Sequence, residues 1–183
     1  MKIVLLVIML LLIGCNDMEP TRQSPTPTPA PIYLTLRERA LTVDPHEIGL
    51  PPVEGGQQTW AVLMDMGWPD ATVTLVAVGD GATSLYFSNG GGIIGAGESP
   101  AVAEVSQQYV AEAASYLTEM TLTEAYPLPE AGRVRFYVMT YDGAYTADVA
   151  EEALRQGQHP LTPLYMMAQA VITQVRLEQE RRQ

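Results

Sequence analysis

Side chains of the types that most often carry out catalysis are scarce in this 183-residue sequence. It contains two histidines, His46 and His159, a single cysteine, Cys15, and a single lysine, Lys2. The histidines are far apart, each lies next to a proline in a predicted turn, and neither has a partner at the spacing of a zinc or calcium site. Beyond Lys2 no lysine is available for a Schiff base or a phosphate-binding loop. We therefore predict no bound metal, no cofactor and no lysine nucleophile.

Carboxylates are the abundant catalytic groups, since the chain has 21 aspartates and glutamates. Asp65, Asp70 and Asp142 lie near the ends of predicted strands. A hydrolase that cuts a glycosidic bond needs two carboxylates separated by roughly 5 to 9.5 Å across a cleft. Sequence spacing does not fix that separation, so a small carboxylate-dependent hydrolase stays an alternative function.

A glycine-rich segment, Gly90–Gly97, contains the G-x-G-x-x-G pattern of dinucleotide-binding loops. In such loops the glycines lead directly into a helix within a parallel βαβ unit. Here the predicted helix begins only at Ser99, and the preceding strand belongs to a hairpin. Two interpretations stay open: the glycines permit a bend or a close backbone approach, or Gly90–Gly97 is a mobile loop that closes over a partner.

Aromatic side chains near turns are candidates for partner contacts, because such residues often dominate binding energies. Trp68 follows a predicted strand, and Tyr141 and Tyr145 flank a predicted turn. Together with the glycine-rich segment they define a predicted contact set: Trp68, Asp70, Gly90, Gly91, Gly92 and Tyr141.

The elements that would position these residues follow from apolar periodicity and turn signals. A short helix is predicted over Thr35–Val43, and a strand over Gln58–Met66 with apolar residues on both faces, which indicates burial. Alternation places Trp60, Val62 and Met64 on one face and Ala61 and Leu63 on the other.

Two hairpins are predicted, each around an Asp-Gly turn that accepts the positive φ of tight turns. The first joins Thr72–Val78 to Thr83–Ser88, and the second joins Arg133–Tyr141 to Ala144–Val149. Helices are predicted to begin at Ser99-Pro100 and Thr162-Pro163, with a capping side chain and a proline in the first turn. Their apolar stripes are Val102, Val105, Tyr109, Ala113, Tyr116 and Met120, and then Leu164, Met167, Ala168, Val171 and Val175.

The predicted order β-β-β-α-β-β-α indicates an α+β domain: an antiparallel sheet of about five strands with two main helices packed on it. This order is loosely similar to that of the profilin-like and roadblock-like small domains. The similarity implies a scaffold and no particular activity.

The amino terminus has a charged start, an apolar run over residues 3–13 and a small residue before Cys15, the features of a secretory signal. The apolar run would rise roughly 16 Å as a helix, too short for the ~30 Å hydrocarbon layer. The sequence Leu12-Ile13-Gly14-Cys15 resembles the lipobox of bacterial lipoproteins. That resemblance implies cleavage of residues 1–14, acylation of Cys15, and a lipid-anchored location at the cell envelope, facing the periplasm or the exterior.

A proline- and threonine-rich segment, residues 15–32, is predicted to be an extended tether. The globular domain is predicted over residues 33–178, followed by a charged tail, 179–183. After cleavage nine arginines face 21 acids, a net charge of 9 − 21 = −12, which disfavours nucleic acid and indicates that a charged partner would be a basic protein.

These observations predict a membrane-tethered, noncatalytic binding or accessory protein of the envelope. One version is an immunity or inhibitor-like protein that acts on a basic partner. The alternatives are the carboxylate-dependent hydrolase and a structural subunit of an envelope complex.

Overall fold

A computed structural model describes residues 28–52 and 58–182. The described residues form one antiparallel seven-stranded sheet and four α-helices, which confirms the predicted α+β class. The strands are β1 (Thr59–Gly67), β2 (Thr72–Val78), β3 (Thr83–Phe87), β4 (Gly92–Ile93), β5 (Thr121–Thr123), β6 (Arg133–Thr140) and β7 (Gly143–Ala150). The helices are α1 (Pro31–Thr42), α2 (Pro100–Ala113), α3 (Glu151–Arg155) and α4 (Thr162–Arg181). The predicted signal sequence, Cys15 and most of the predicted tether lie outside the described residues.

The strand order is β4-β3-β2-β1-β6-β7-β5, with β1 at the centre. Both predicted hairpins are present, as β2–β3 and β6–β7. The strand count differs from the prediction because β4 and β5 have only two and three residues, too few to show a period-2 pattern. The five-residue α3 was missed for the same reason, and α1 begins at Pro31, four residues before the predicted start.

The sheet has a hydrophobic core on each face. Helices α2 and α4 cover one face, and α1 covers the other. The α2–α4 core includes Met64, Leu75, Tyr109, Phe136 and Leu164. The α1 core includes Tyr33, Leu41, Trp60, Leu63 and Tyr137. Strand β1 lies between the two cores, so all nine of its residues are buried, as predicted.

The predicted face of Trp60 is wrong. The pairing register between β1 and β6 shifts at this residue, which marks a β-bulge. A bulge adds one residue and breaks strict alternation. Trp60 therefore lies in the α1 core with Ala61 and Leu63, while Val62 and Met64 lie in the α2–α4 core.

The two main helices begin with proline in the first turn, as predicted, but the predicted side-chain caps are absent. Ser99 is the residue before α2, yet its hydroxyl makes no capping hydrogen bond. Thr162 is the first residue of α4, after Leu161, and its hydroxyl donates to the Leu154 carbonyl at 3.3 Å. Helix α2 also ends at Ala113, so the last two residues of its predicted stripe lie beyond it.

Within residues 28–52 and 58–182, no helix is both long enough and apolar enough to cross a bilayer.

Candidate binding groove

Asp65, one of the candidate catalytic carboxylates, is fully buried in β1, two residues before the end of the strand. Its Oδ2 accepts hydrogen bonds from Arg37 of α1, at 3.0 Å from Nε and 2.6 Å from the terminal nitrogen. Its Oδ1 accepts from the Thr74 hydroxyl at 2.5 Å. A carboxylate buried without partners would cost several kcal/mol, and these partners offset that cost. Asp65 therefore ties α1 to the sheet and is closed to substrate.

Aromatic and backbone groups complete the surroundings of Arg37. Its guanidinium lies 5.4 Å from the Tyr137 ring centroid and donates to the Tyr126 carbonyl at 2.9 Å. The Tyr33 hydroxyl lies 2.8 Å from that of Thr74. Burial and the nearby Asp65 carboxylate raise the pKa of Tyr33 to about 12. Burial lowers the pKa of Arg37, but the charge of Asp65, the hydrogen bonds to it and the nearby Tyr33 and Tyr137 together raise the pKa overall.

The other two candidate carboxylates lie far from Asp65 and from each other. Asp70 is exposed in the turn after β1, whose last residue, Gly67, pairs with Thr72. Asp142 is exposed in the β6–β7 turn, at the opposite end of β1. At about 3.3 Å per residue, the nine residues of β1 separate these turns by roughly 25 Å. No two of the three acids share a pocket, so the separation that a glycosidase needs is not formed by them.

The predicted contact set is also divided between the two ends of the sheet. Trp68 and Asp70 lie at the end where β1 finishes, which we call the Gly67 end, and the exposed glycines Gly90 to Gly92 lie near it, since Phe87 pairs with Val73. Tyr141 lies at the other end, partly buried against the α1 core. Tyr145 packs against the opposite face. The six residues do not form one surface.

The glycine-rich segment forms the β3–β4 turn, strand β4 and the start of a 3₁₀ helix over Ala96–Glu98. Gly90 has a φ of 96°, which side chains rarely adopt. A Cβ on Gly92 would lie 2.8 Å from the Leu85 carbonyl oxygen of the neighbouring strand. A turn and a close strand approach thus account for both glycines, and no parallel βαβ unit surrounds them.

The histidines lie in turns, as predicted. The His159 Nδ1 accepts a hydrogen bond from the Leu161 amide at 3.1 Å, and the His46 amide donates to Asp44. Within the part of the chain that the structure describes, no three potential metal ligands lie together.

A groove of about 600 Å³ lies between α4 and the β1–β4 half of the sheet. We call it the α4 groove. Its floor is apolar and consists of Met66, Trp68, Val73, Leu85, Phe87 and Ile93. Tyr165, Gln169, Ile172 and Arg176 line it from α4, and Glu151 and Arg155 line it from α3. This volume is within the ~300 to 1,000 Å³ of typical small-molecule sites.

The α4 wall follows from helical spacing. Its four residues recur at intervals of three or four positions, so they share one side of the helix. From Tyr165 to Arg176 this stripe rises about 16 Å. Trp68, at the Gly67 end, is 46% exposed, which gives the groove an aromatic group accessible to a ligand.

Hydrogen bonds within the protein already engage the uncharged polar side chains of the groove wall, Tyr165 and Gln169. The Tyr165 hydroxyl donates to Glu151 at 3.2 Å, and burial together with this carboxylate raises the pKa of Tyr165 to about 12. The Gln169 side-chain amide contacts the Met66 sulfur at 3.3 Å. The groove therefore offers an apolar interior with few free hydrogen-bonding groups.

Two arginines of the groove have no acidic partner. Of the eight arginines in the described ranges, five lie within 4.0 Å of a carboxylate. The other three are Arg39 on α1, and Arg155 and Arg176 in the groove. With Glu151 as the one carboxylate of the lining, the groove carries +2 − 1 = +1, whereas the whole chain carries −11.

Comparisons with protein-family models, with curated proteins and with solved structures find no match to this chain.

Sequence analysis identified Trp68 as a contact candidate but missed the rest of the groove. Apart from Trp68, its floor residues were not recognised as a binding surface, because apolar residues on strands usually pack into the core. Arg155 and Arg176 were two of many exposed charges, and only the fold brings them to one site. The sequence did contain one signal of the groove: on the side of α4 that carries Tyr165 and Ile172, the polar residues Gln169 and Arg176 interrupt the apolar spacing.

Proposed function

We propose that this protein is a noncatalytic binding protein of the bacterial cell envelope, lipid-anchored through Cys15, and that the α4 groove is its binding site. The single observation that carries the proposal is an apolar groove of about 600 Å³ with an exposed tryptophan. Leaving this much apolar surface uncovered is unfavourable unless a ligand removes it from water. The lipobox resemblance supplies the location.

The placement of the carboxylates favours binding over hydrolysis. Asp65 is held in a buried ion pair with Arg37, and Asp70 and Asp142 lie at opposite ends of the sheet. The pair of acids that the hydrolase alternative requires is therefore not assembled from these residues. The interaction with a basic protein, which the net charge indicates, stays a prediction.

A neutral apolar fluorophore, N-phenyl-1-naphthylamine, tests the groove directly, because its emission rises in apolar surroundings. We expect saturable binding by the native domain. Ile172→Glu puts a charge on the apolar wall and should weaken binding at least tenfold, because the ligand would then contact a desolvated carboxylate. Thr173→Glu is the matched control, since it adds the same charge on an exposed position of the same helix.

Circular dichroism of each variant establishes that it is folded before binding is measured. If Ile172→Glu does not fold, Gln169→Glu replaces it as a change of equal size in the groove, with Gln174→Glu as its control. The absence of saturable fluorophore binding by the native domain, or equal loss of binding in groove and control variants, would refute the proposal.

A further inference from the structure

We propose that the α4 groove binds a single-chain amphiphile with a carboxylate head, such as a free fatty acid, with its head at Arg176 and its chain directed toward Trp68. This inference rests on the proposed function of the groove and specifies its ligand. The groove combines an apolar floor with two arginines that no acidic side chain neutralises.

The chemistry of the floor favours an alkyl chain over a peptide. A bound peptide brings amide groups into the groove, and each one buried without a hydrogen bond costs free energy. The Tyr165 hydroxyl and the Gln169 amide are already engaged by Glu151 and Met66. An alkyl chain needs no such partners and gains from burial at about 0.8 kcal/mol per methylene.

The charge pattern assigns the head to the Arg176 end. Arg155 is four residues after Glu151 on α3, so the negative charge of the Glu151 carboxylate partly compensates the positive charge of Arg155. Arg176 lies about 16 Å along α4 from Tyr165, the residue that contacts Glu151, and no acid lines the groove beside it. Arg182, further along the chain, approaches Glu98 at 4.0 Å. Arg176 is thus the arginine of the groove that has no acid of the groove lining near it, which leaves its charge for an anionic ligand.

The other end of the groove lies where the chain enters the domain. The Ala30 amide donates to the Ser88 carbonyl at 2.7 Å, and Thr28 and Pro29 lie in a small cleft with Thr72. Thr72 pairs with Gly67, directly before Trp68. A lipid-anchored tether would therefore join the domain at the Trp68 end, the side from which a membrane-derived amphiphile would arrive.

Competition against the neutral fluorophore tests the head-group assignment with three ligands of equal chain length: dodecanoate, 1-dodecanol and dodecylammonium. We expect dodecanoate to displace the fluorophore at the lowest concentration, although the whole protein is acidic. Arg176→Gln should raise the half-displacing concentration of dodecanoate about three- to tenfold, the loss of one charge-assisted contact at a partly hydrated site, and leave that of dodecanol unchanged.

Arg39→Gln is the matched control, because Arg39 is also exposed and unpaired but lies on α1, across the sheet. Arg39→Gln should leave the half-displacing concentrations of all three ligands unchanged. Arg155→Gln should raise the half-displacing concentration of dodecanoate less than Arg176→Gln does, because Glu151 already compensates part of the charge of Arg155.

The outcomes separate this inference from the function on which it rests. Suppose that the fluorophore binds in the groove, but dodecanol or dodecylammonium competes as well as dodecanoate, or Arg176→Gln has no effect on competition. The head-group assignment is then overturned, while the proposal that the groove is a binding site is retained. If an apolar peptide with a free carboxyl terminus competes and dodecanoate does not, the ligand is a protein segment and the inference fails. If the fluorophore does not bind, both proposals fail.

Discussion

The buried contact between Arg37 and Asp65 should be a large single contributor to the stability of the domain. The Asp65 side chain is fully buried and that of Arg37 is 7% exposed. Asp65→Asn keeps the size of the side chain but removes its charge, which leaves the guanidinium buried without a counterion. Helix α1 would then lose the ion pair that helps to hold its buried side against the sheet.

Removal of one partner from a buried ion pair typically costs about 3 to 5 kcal/mol. Asparagine can still accept one hydrogen bond from Arg37, and the Tyr126 carbonyl remains as a second acceptor for Arg37. We therefore expect a loss of stability at the lower end of this range, about 3 kcal/mol. That is a sizeable share of the ~5 to 15 kcal/mol that stabilises a typical domain. Asp142→Asn, at an exposed turn, should change stability by less than about 0.5 kcal/mol.

Urea denaturation followed by far-ultraviolet circular dichroism measures these differences. The paired replacement Arg37→Met with Asp65→Leu should be less destabilised than Asp65→Asn, because no uncompensated charge stays buried. An Asp65→Asn domain within about 1 kcal/mol of the native one would refute the reasoning, as would a double variant less stable than the single one.

Three further outcomes are expected. The buried Tyr109 hydroxyl has no hydrogen-bond partner in the described structure, so Tyr109→Phe should raise the free energy of unfolding by up to about 1 kcal/mol in urea denaturation. The stabilisation that Tyr33 contributes should be complete below pH 10, and it should fall by up to about 1.4 kcal/mol per pH unit as the pH rises toward the pKa of the folded state, about 12. The measurement is the difference in the free energy of unfolding between the native domain and Tyr33→Phe across that pH range. Cys15→Ser should release the protein from sedimented membranes into the soluble fraction, and continued sedimentation would contradict lipid anchoring.

Local signals were enough to predict the main elements. Asp-Gly turns located both hairpins, and proline in the first turn located the starts of α2 and α4. The apolar residues on both faces of β1 predicted its burial, which the structure confirms.

Features that depend on neighbours in space were beyond sequence reasoning. The bulge at Trp60 arises from the pairing of β1 with β6, which no local pattern encodes. Sequence analysis treated Asp65 only as a candidate catalytic carboxylate, because its partner, Arg37, is 28 residues away on another element. The α4 groove likewise combines four strands and two helices, so its residues could be identified only from the fold.

The central claim, that the α4 groove holds an alkyl chain with its head at Arg176, is tested most directly by bromine quenching of tryptophan. The Trp60→Phe variant leaves Trp68 at the groove as its only tryptophan, and Trp68→Phe leaves Trp60 buried on the opposite face of the sheet. We predict that 12-bromododecanoate quenches the Trp60→Phe variant more strongly than 2-bromododecanoate does, and that neither quenches Trp68→Phe. Stronger quenching by the 2-bromo isomer, equal quenching of both variants, or none at saturation would contradict it.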